Sequence, residues 1–190
     1  MVQIDQNKLQ AAIDAYKKYF PTKIGDEIYK WKAVKCFQDN WDIDAEDFAE
    51  MFWAATGKTE NLITSINRFP RKMLYEFAKL EQERVRDMFK VLFDEKLELE
   101  QRIREFIKEA ESLCGKHFPG KMHYQDLNSI STYLWMRYPD KYFIFKYSEV
   151  KRAINVLGAN FEVKKGASIS KVSSAFEMFK IMAEALNHDA

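Results

Sequence analysis

Cysteine is scarce in this chain, with two among 190 residues. Cys36 and Cys114 sit among periodic apolar residues, which reads as two buried free thiols in a reducing cytoplasm rather than a disulfide framework. Histidine is scarce too, with three residues. Cys114, His117 and His123 have loose ligand spacing, but a structural zinc site wants four ligands, and only His188 and Cys36 remain to supply a fourth. No metal and no cofactor is expected. With six glycines and four prolines there is no collagen-like repeat and no Gly/Pro-rich linker. Neither sign of charge dominates: 30 basic and 29 acidic residues leave +1, so no global field announces nucleic acid or membrane. No apolar run approaches the roughly 18 residues of a membrane span. The opening "MVQIDQNKLQ" has no basic n-region and no apolar h-region, so it is not read as a signal peptide.

What is present is apolar residues at helical spacing. The 47% hydrophobic and 15% aromatic fractions exclude a disordered chain. Leu9, Ala12, Ile13, Tyr16 and Phe20 mark a first helix, expected to stop at Pro21. Ile28, Trp31, Val34, Phe37 and Trp41 mark a second. Asp44 is a candidate N-cap, with Asp47 three residues on, for a helix through Trp53. A short helix is expected over 61–67, before the break at Pro70. Stripes follow at Val85–Phe93, Leu99–Ala110 and Leu127–Tyr138, with a loop over "CGKHFPGKMHY". A helix from Glu149 to Leu157 should stop at Gly158, and a last one carries Val172 to Leu186. The segment "KYFIFKY" is the only strand candidate, near 142–146, and it has no obvious partner. The expectation is an all-α domain of about eight or nine helices over 1–190, with a possible sub-boundary in the loop 115–124.

Chemical motifs are few. "GKT" at 57–59 has Phe52 and Trp53 where a phosphate loop needs its first glycine, so a glycine ending a helix explains it. "DNWDIDAEDFAE" holds six acids over 39–50, but a calcium loop started at Asp42 has Asp47 at the sixth position and Trp53 at the twelfth. Acids opening a helix account for the run. His123 is a possible base with no nucleophile or acid tied to it by motif. One asymmetry stands out. Residues 141–171 hold seven basic side chains against two acidic ones, a local +5 that leaves −4 for the rest. Lys141, Lys146, Lys151 and Arg152 are interleaved there with Tyr142 and Tyr147. Arg68, Arg71 and Lys72 flank Pro70 in another loop. Cations beside aromatics suit a phosphate backbone with a base stacked nearby. The same pattern also suits aromatics packed inward with lysine stems reaching outward.

Four phrases in order, "YKWKAVKCFQDNWDIDAEDFAEMF", "NLITSINRFPRKMLYEFA", "VRDMFKVLFDE" and "HYQDLNSISTYLWMRYPDKYFIFKYSEVKRAINVLG", resemble the N-terminal region of McrB-like proteins, the AAA+ GTPase subunits of modification-dependent restriction systems. The resemblance runs from about Ile28 to Gly158. It implies a non-catalytic N-terminal module that engages DNA, modified or unmodified, or helps target recognition. The AAA+ motor would lie in the same parent chain and a nuclease would be a partner subunit. A reader of modified bases would need an aromatic pocket, for which Trp135, Tyr142 and Tyr147 are candidates by residue type. The alternative is a protein-interaction or spacer domain in the same assembly with no DNA binding of its own. A helical enzyme would need a pocket of convergent titratable groups, and the sequence nominates none.

Overall fold

The computed structural model describes residues 1–65 and 67–188, and among these residues it is all-helical. Eight α-helices follow one another: α1 (Gln6–Asn40), α2 (Phe48–Ala55), α3 (Pro70–Leu80), α4 (Gln82–Phe93), α5 (Leu99–His117), α6 (Leu127–Arg137), α7 (Tyr147–Leu157) and α8 (Val172–His188), the last preceded by a single 3₁₀ turn at Ile169–Lys171. None of them is long and apolar enough to cross a membrane.

Local chemistry sets most helix ends. The Asp5 carboxylate accepts the Asn7 and Lys8 N–H groups at 2.9 and 3.1 Å and opens α1. Asp47, rather than the expected Asp44, caps α2 by accepting the Glu50 N–H at 3.0 Å. Asp44 sits in the preceding turn, where its N–H donates to Asp42. Pro70 occupies the first turn of α3, where its missing N–H costs nothing. Asp126 and Ser129 form a reciprocal capping box on α6. Gly158 ends α7 at φ 61°, a left-handed conformation that glycine adopts without penalty.

Three expectations need correction. The first helix does not stop at Pro21; α1 runs through it for 35 residues. Proline and Gly25 inside a helix cost roughly 3 and 1 kcal/mol relative to alanine. Both ends of α1 are anchored: Leu9 and Ile13 are buried near one end, Ala33, Val34 and Phe37 near the other. That anchoring keeps the two halves in one element. The expected helix over 61–67 does not form. Ser65 and Arg68 instead exchange N–H···O bonds of 2.9 and 3.3 Å in an isolated antiparallel bridge, and Ile66 lies outside the described residues. The loop at 114–124 starts later than expected, because α5 continues to His117.

The core is one cluster of buried side chains reaching from Val2 to Met178. Phe89 stands at its aromatic centre, with ring centroids of Trp41, Phe93, Phe106 and Tyr133 at 4.8 to 5.5 Å. Edge and tilted arrangements of this kind add to the area term. Tyr133 is fully buried, which pushes its phenol pKa well above the ordinary value, and its hydroxyl is satisfied by donating to Gln125 Oε1 at 3.1 Å. Gln125 in turn donates to the Pro70 carbonyl at 2.8 Å, joining the α6 approach to the start of α3. Both thiols are free. Cys114 is buried and Cys36 is half-buried, so only one fits the expected pattern fully.

Candidate nucleic-acid interface

The segment 141–147 decides where the charges go. Its residues 142–146 lie outside any helix, and they form no ladder. The Phe145 N–H donates to Ser131 Oγ at 2.8 Å, and Asn128 Nδ2 donates to the Phe145 carbonyl at 3.4 Å. Side chains of α6 thus take the hydrogen bonds that a neighbouring strand would have taken.

At the start of this segment the candidates are spent on structure. Tyr142 is 4% exposed. Its hydroxyl accepts from Arg102 at 2.9 Å and donates to Glu95 at 2.9 Å. Lys141 closes an ion pair with Glu95. Together Lys141 and Tyr142 hold the Glu95 carboxyl below its ordinary range. Tyr142 is therefore a core residue, not a stacking surface. Trp135 is buried too, its ring 6.1 Å from that of Trp31. Arg71 is also committed. Its guanidinium lies 3.4 Å over the Trp53 ring and donates to Thr56 Oγ1 and the Trp53 carbonyl at 2.9 and 2.7 Å, capping the end of α2. Lys72 is exposed on α3 and does not line the cleft described next.

At the end of the segment the chain opens a cleft of about 740 Å³. Its lining is drawn from residues 61–65 with Arg68 and Pro70, Ile107 of α5, His123 and residues 125–129 into the first turn of α6, residues 145–148 and the turn 165–169. Its floor is apolar, with Ile63, Ile107 and Phe145 among the lining residues. Its rim carries Arg68, Lys146 and Lys165, with half-buried His123 beside them. Gly166, at φ 80°, turns the chain so that Lys165 is presented at the rim. Among the described residues Asp126 is the one acid in the lining. It accepts from the Ser129 N–H at 3.1 Å and pairs with Arg68. Arg68 is thus partly neutralised, whereas Lys146 and Lys165 have no ion-pair partner among the described residues. Burial lowers the His123 pKa, and its Nδ1 accepts the Gln125 N–H at 3.0 Å, so Nε2 is left as the donor of the neutral ring.

Tyr147 and Ser148 line the cleft and open α7, whose N-cap Lys146 makes no side-chain capping bond. The first N–H groups of that helix add partial positive charge to the lysines around them. Lys151 and Arg152 follow Tyr147 and Ser148 by four residues and so continue those faces along α7. Both are exposed, and Arg152 has only Glu149 near it, at 3.6 Å.

Of the eight candidates, then, Lys146 and Tyr147 line the cleft, Lys151 and Arg152 extend from it, and Lys141, Tyr142, Arg71 and Lys72 do not take part. Arg68, named only as a neighbour of Pro70, does line it. Lys165, hidden in the basic run, and His123, weighed only as a base, belong to it as well. The arrangement offers cations over an apolar floor. Among the described residues no group of three histidine, cysteine or acidic side chains is placed to hold a metal ion. His117 is not a loop residue but sits in the last turn of α5, where it and Lys116 contact Glu81. No family model matches the chain, and no curated protein or solved structure matches it.

Proposed function

We propose that this protein is a nucleic-acid-engaging module whose contact surface is the cleft at the start of α7. The observation behind the reading is the convergence of Lys146 and Lys165, from the basic run, with the distant Arg68 on one apolar-floored cleft. Unpaired lysines beside a helix N-terminus suit phosphate oxygens. An apolar floor with Tyr147 at its edge suits the face of a base or sugar. In this reading Lys151 and Arg152 follow the backbone beyond the cleft. The resemblance to McrB-like N-terminal regions supports DNA, with or without base modification, as the polymer. It also supports a non-catalytic cytoplasmic role beside an AAA+ motor in the same parent chain and a nuclease subunit.

The test is fluorescence anisotropy with short duplex and single-stranded DNA, with and without modified cytosine, at low and physiological salt. The expected result is binding that weakens by roughly 0.9 log units per log of salt for each phosphate engaged. Absence of binding to every probe at low salt would refute the reading. A preference for one modified duplex would make the module the specificity element, and indifference to modification would make it an auxiliary clamp.

A second reading is favoured by a separate observation. The middle of α1 exposes Tyr16, Tyr19, Ile24, Ile28 and Trp31 at 43 to 62%. Such a patch marks a protein-interaction surface.

A further inference from the structure

The cleft at the start of α7 is small for a polymer site. Its volume of about 740 Å³ falls within the roughly 300–1,000 Å³ of pockets that hold one small ligand. A groove that tracks a single strand without sequence preference covers about 4–16 nucleotides. The cleft thus has room for one nucleotide unit rather than for a track of several. Its charge has a definite size as well. Arg68, Lys146 and Lys165 against Asp126, three cations and one acid, leave +2 among the described lining residues. Asp126 is spent on Arg68 and the Ser129 N–H, so the surplus sits on the two lysines, which have no ion-pair partner among the described residues. Two neutral donors border the same space. One is His123 Nε2, and the other is the Ser148 hydroxyl, which has no hydrogen-bond partner among the described residues.

We infer that the cleft holds a nucleotide bearing a phosphomonoester, the terminal unit of a strand, with its phosphate on Lys146 and Lys165 and its sugar and base over Ile63 and Phe145. The inference rests on the reading of the cleft as a nucleic-acid contact and narrows that reading to chain ends. Charge selects the end. A phosphodiester inside a strand carries one negative charge, whereas a monoester carries about −1.5 to −2 near neutral pH and offers three acceptor oxygens. Two unpaired ammonium groups match the monoester and would be half used by a diester. Hydrogen bonds between ionised partners are about twice as strong as neutral ones, so the match carries weight. A free nucleoside monophosphate presents the same chemistry. The strand end is favoured because exposed Lys151 and Arg152 continue from the cleft along α7, where the following diesters of a strand would pass.

Fluorescence anisotropy of the full chain with an oligothymidylate of about eight nucleotides tests it, a length within single-strand site sizes. The strand is offered with a 5′-phosphate, with a 3′-phosphate, with hydroxyls at both ends, and as a closed circle. One phosphorylated form should bind about tenfold or more tighter than the hydroxyl form, as expected for hydrogen bonds to a charged group. The circle should bind like the hydroxyl form. Lys146→Ala with Lys165→Ala should bring the ratio of phosphorylated to hydroxyl affinity close to one, with the circular dichroism of the folded protein retained. Lys151→Ala should weaken both forms alike and keep the ratio. Thymidine monophosphate serves as competitor. Displacement only at far higher concentration than the phosphorylated strand supports the strand end, and displacement at the same concentration supports the pocket with free nucleotide as its source. Equal binding of the phosphorylated, hydroxyl and circular forms, each weakening with salt, overturns the inference and leaves the nucleic-acid reading standing. No binding of any strand or of thymidine monophosphate overturns both.

Discussion

Lys141 and Lys146 stand five residues apart in one segment, and their surroundings are opposite. At Lys141 the chain meets α4 and α5. There Glu95, Tyr142 and the buried guanidinium of Arg102 form a network that ties the segment down. At Lys146 the chain turns into α7 beside an open cleft, and the ammonium has no partner among the described residues. The residue types are the same at both ends, aromatic and lysine in alternation. What differs is whether a carboxylate from elsewhere reaches the lysine. A basic run in sequence is therefore no measure of free positive charge, because the count must be taken after tertiary pairing.

The sharpest way to break the first half of this contrast is Arg102→Ala. Arg102 is 3% exposed, donates to the Leu92 carbonyl at 2.8 Å and bonds the Tyr142 hydroxyl. Its loss leaves buried acceptors unpaired and a cavity behind, and should cost about 3–4 kcal/mol in urea unfolding. The second half is broken by the double variant Lys146→Ala and Lys165→Ala. DNA affinity should fall about tenfold at 0.1 M salt, and the salt slope should drop by about two contacts, with urea stability within about 0.5 kcal/mol of the wild type. Lys141→Ala should then behave as its position dictates. It should leave the salt slope of DNA binding unchanged and alter stability by less than about 1 kcal/mol, since an exposed ion pair contributes little.

The smallest effect concerns a second spent cation. Lys116 and His117 hydrogen-bond Glu81 at the α3–α4 corner and lower its pKa from 4.5 to about 2. A depressed carboxylate stabilises the fold fully above its unfolded pKa, and that contribution is lost as pH falls from 4.5 toward 2. Urea unfolding should therefore show Glu81→Gln less stable than wild type at pH 7, with the gap narrowing at pH 3. A gap that stays constant would show that Glu81 acts through packing alone.

Much of the fold was legible beforehand because its signals are local. The all-α class follows from apolar spacing, and the end of α7 from Gly158. Pro21 misled for a complementary reason. Its cost is local, but the anchoring of both ends of α1 is not. The expected helix over 61–67 failed because Ser65 and Arg68 bond each other instead. The site was half legible. Lys146, Tyr147, Lys151, Arg152 and Lys165 lie in one basic run, but Arg68 joins Lys146 and Lys165 only through the meeting of distant segments. No spacing rule could have shown that Tyr142 turns inward while Tyr147 lines the cleft.

The sequence by itself determined most of the helices, because periodicity, caps and glycine stops act within a few residues. It also determined that the charges nearly balance. The tertiary structure alone decided which lysines are free, which aromatics are core and where the cleft opens. Those properties depend on Glu95, Arg102, Ser131 and Asp126 arriving from other elements, and ion pairing and burial are properties of neighbours in space.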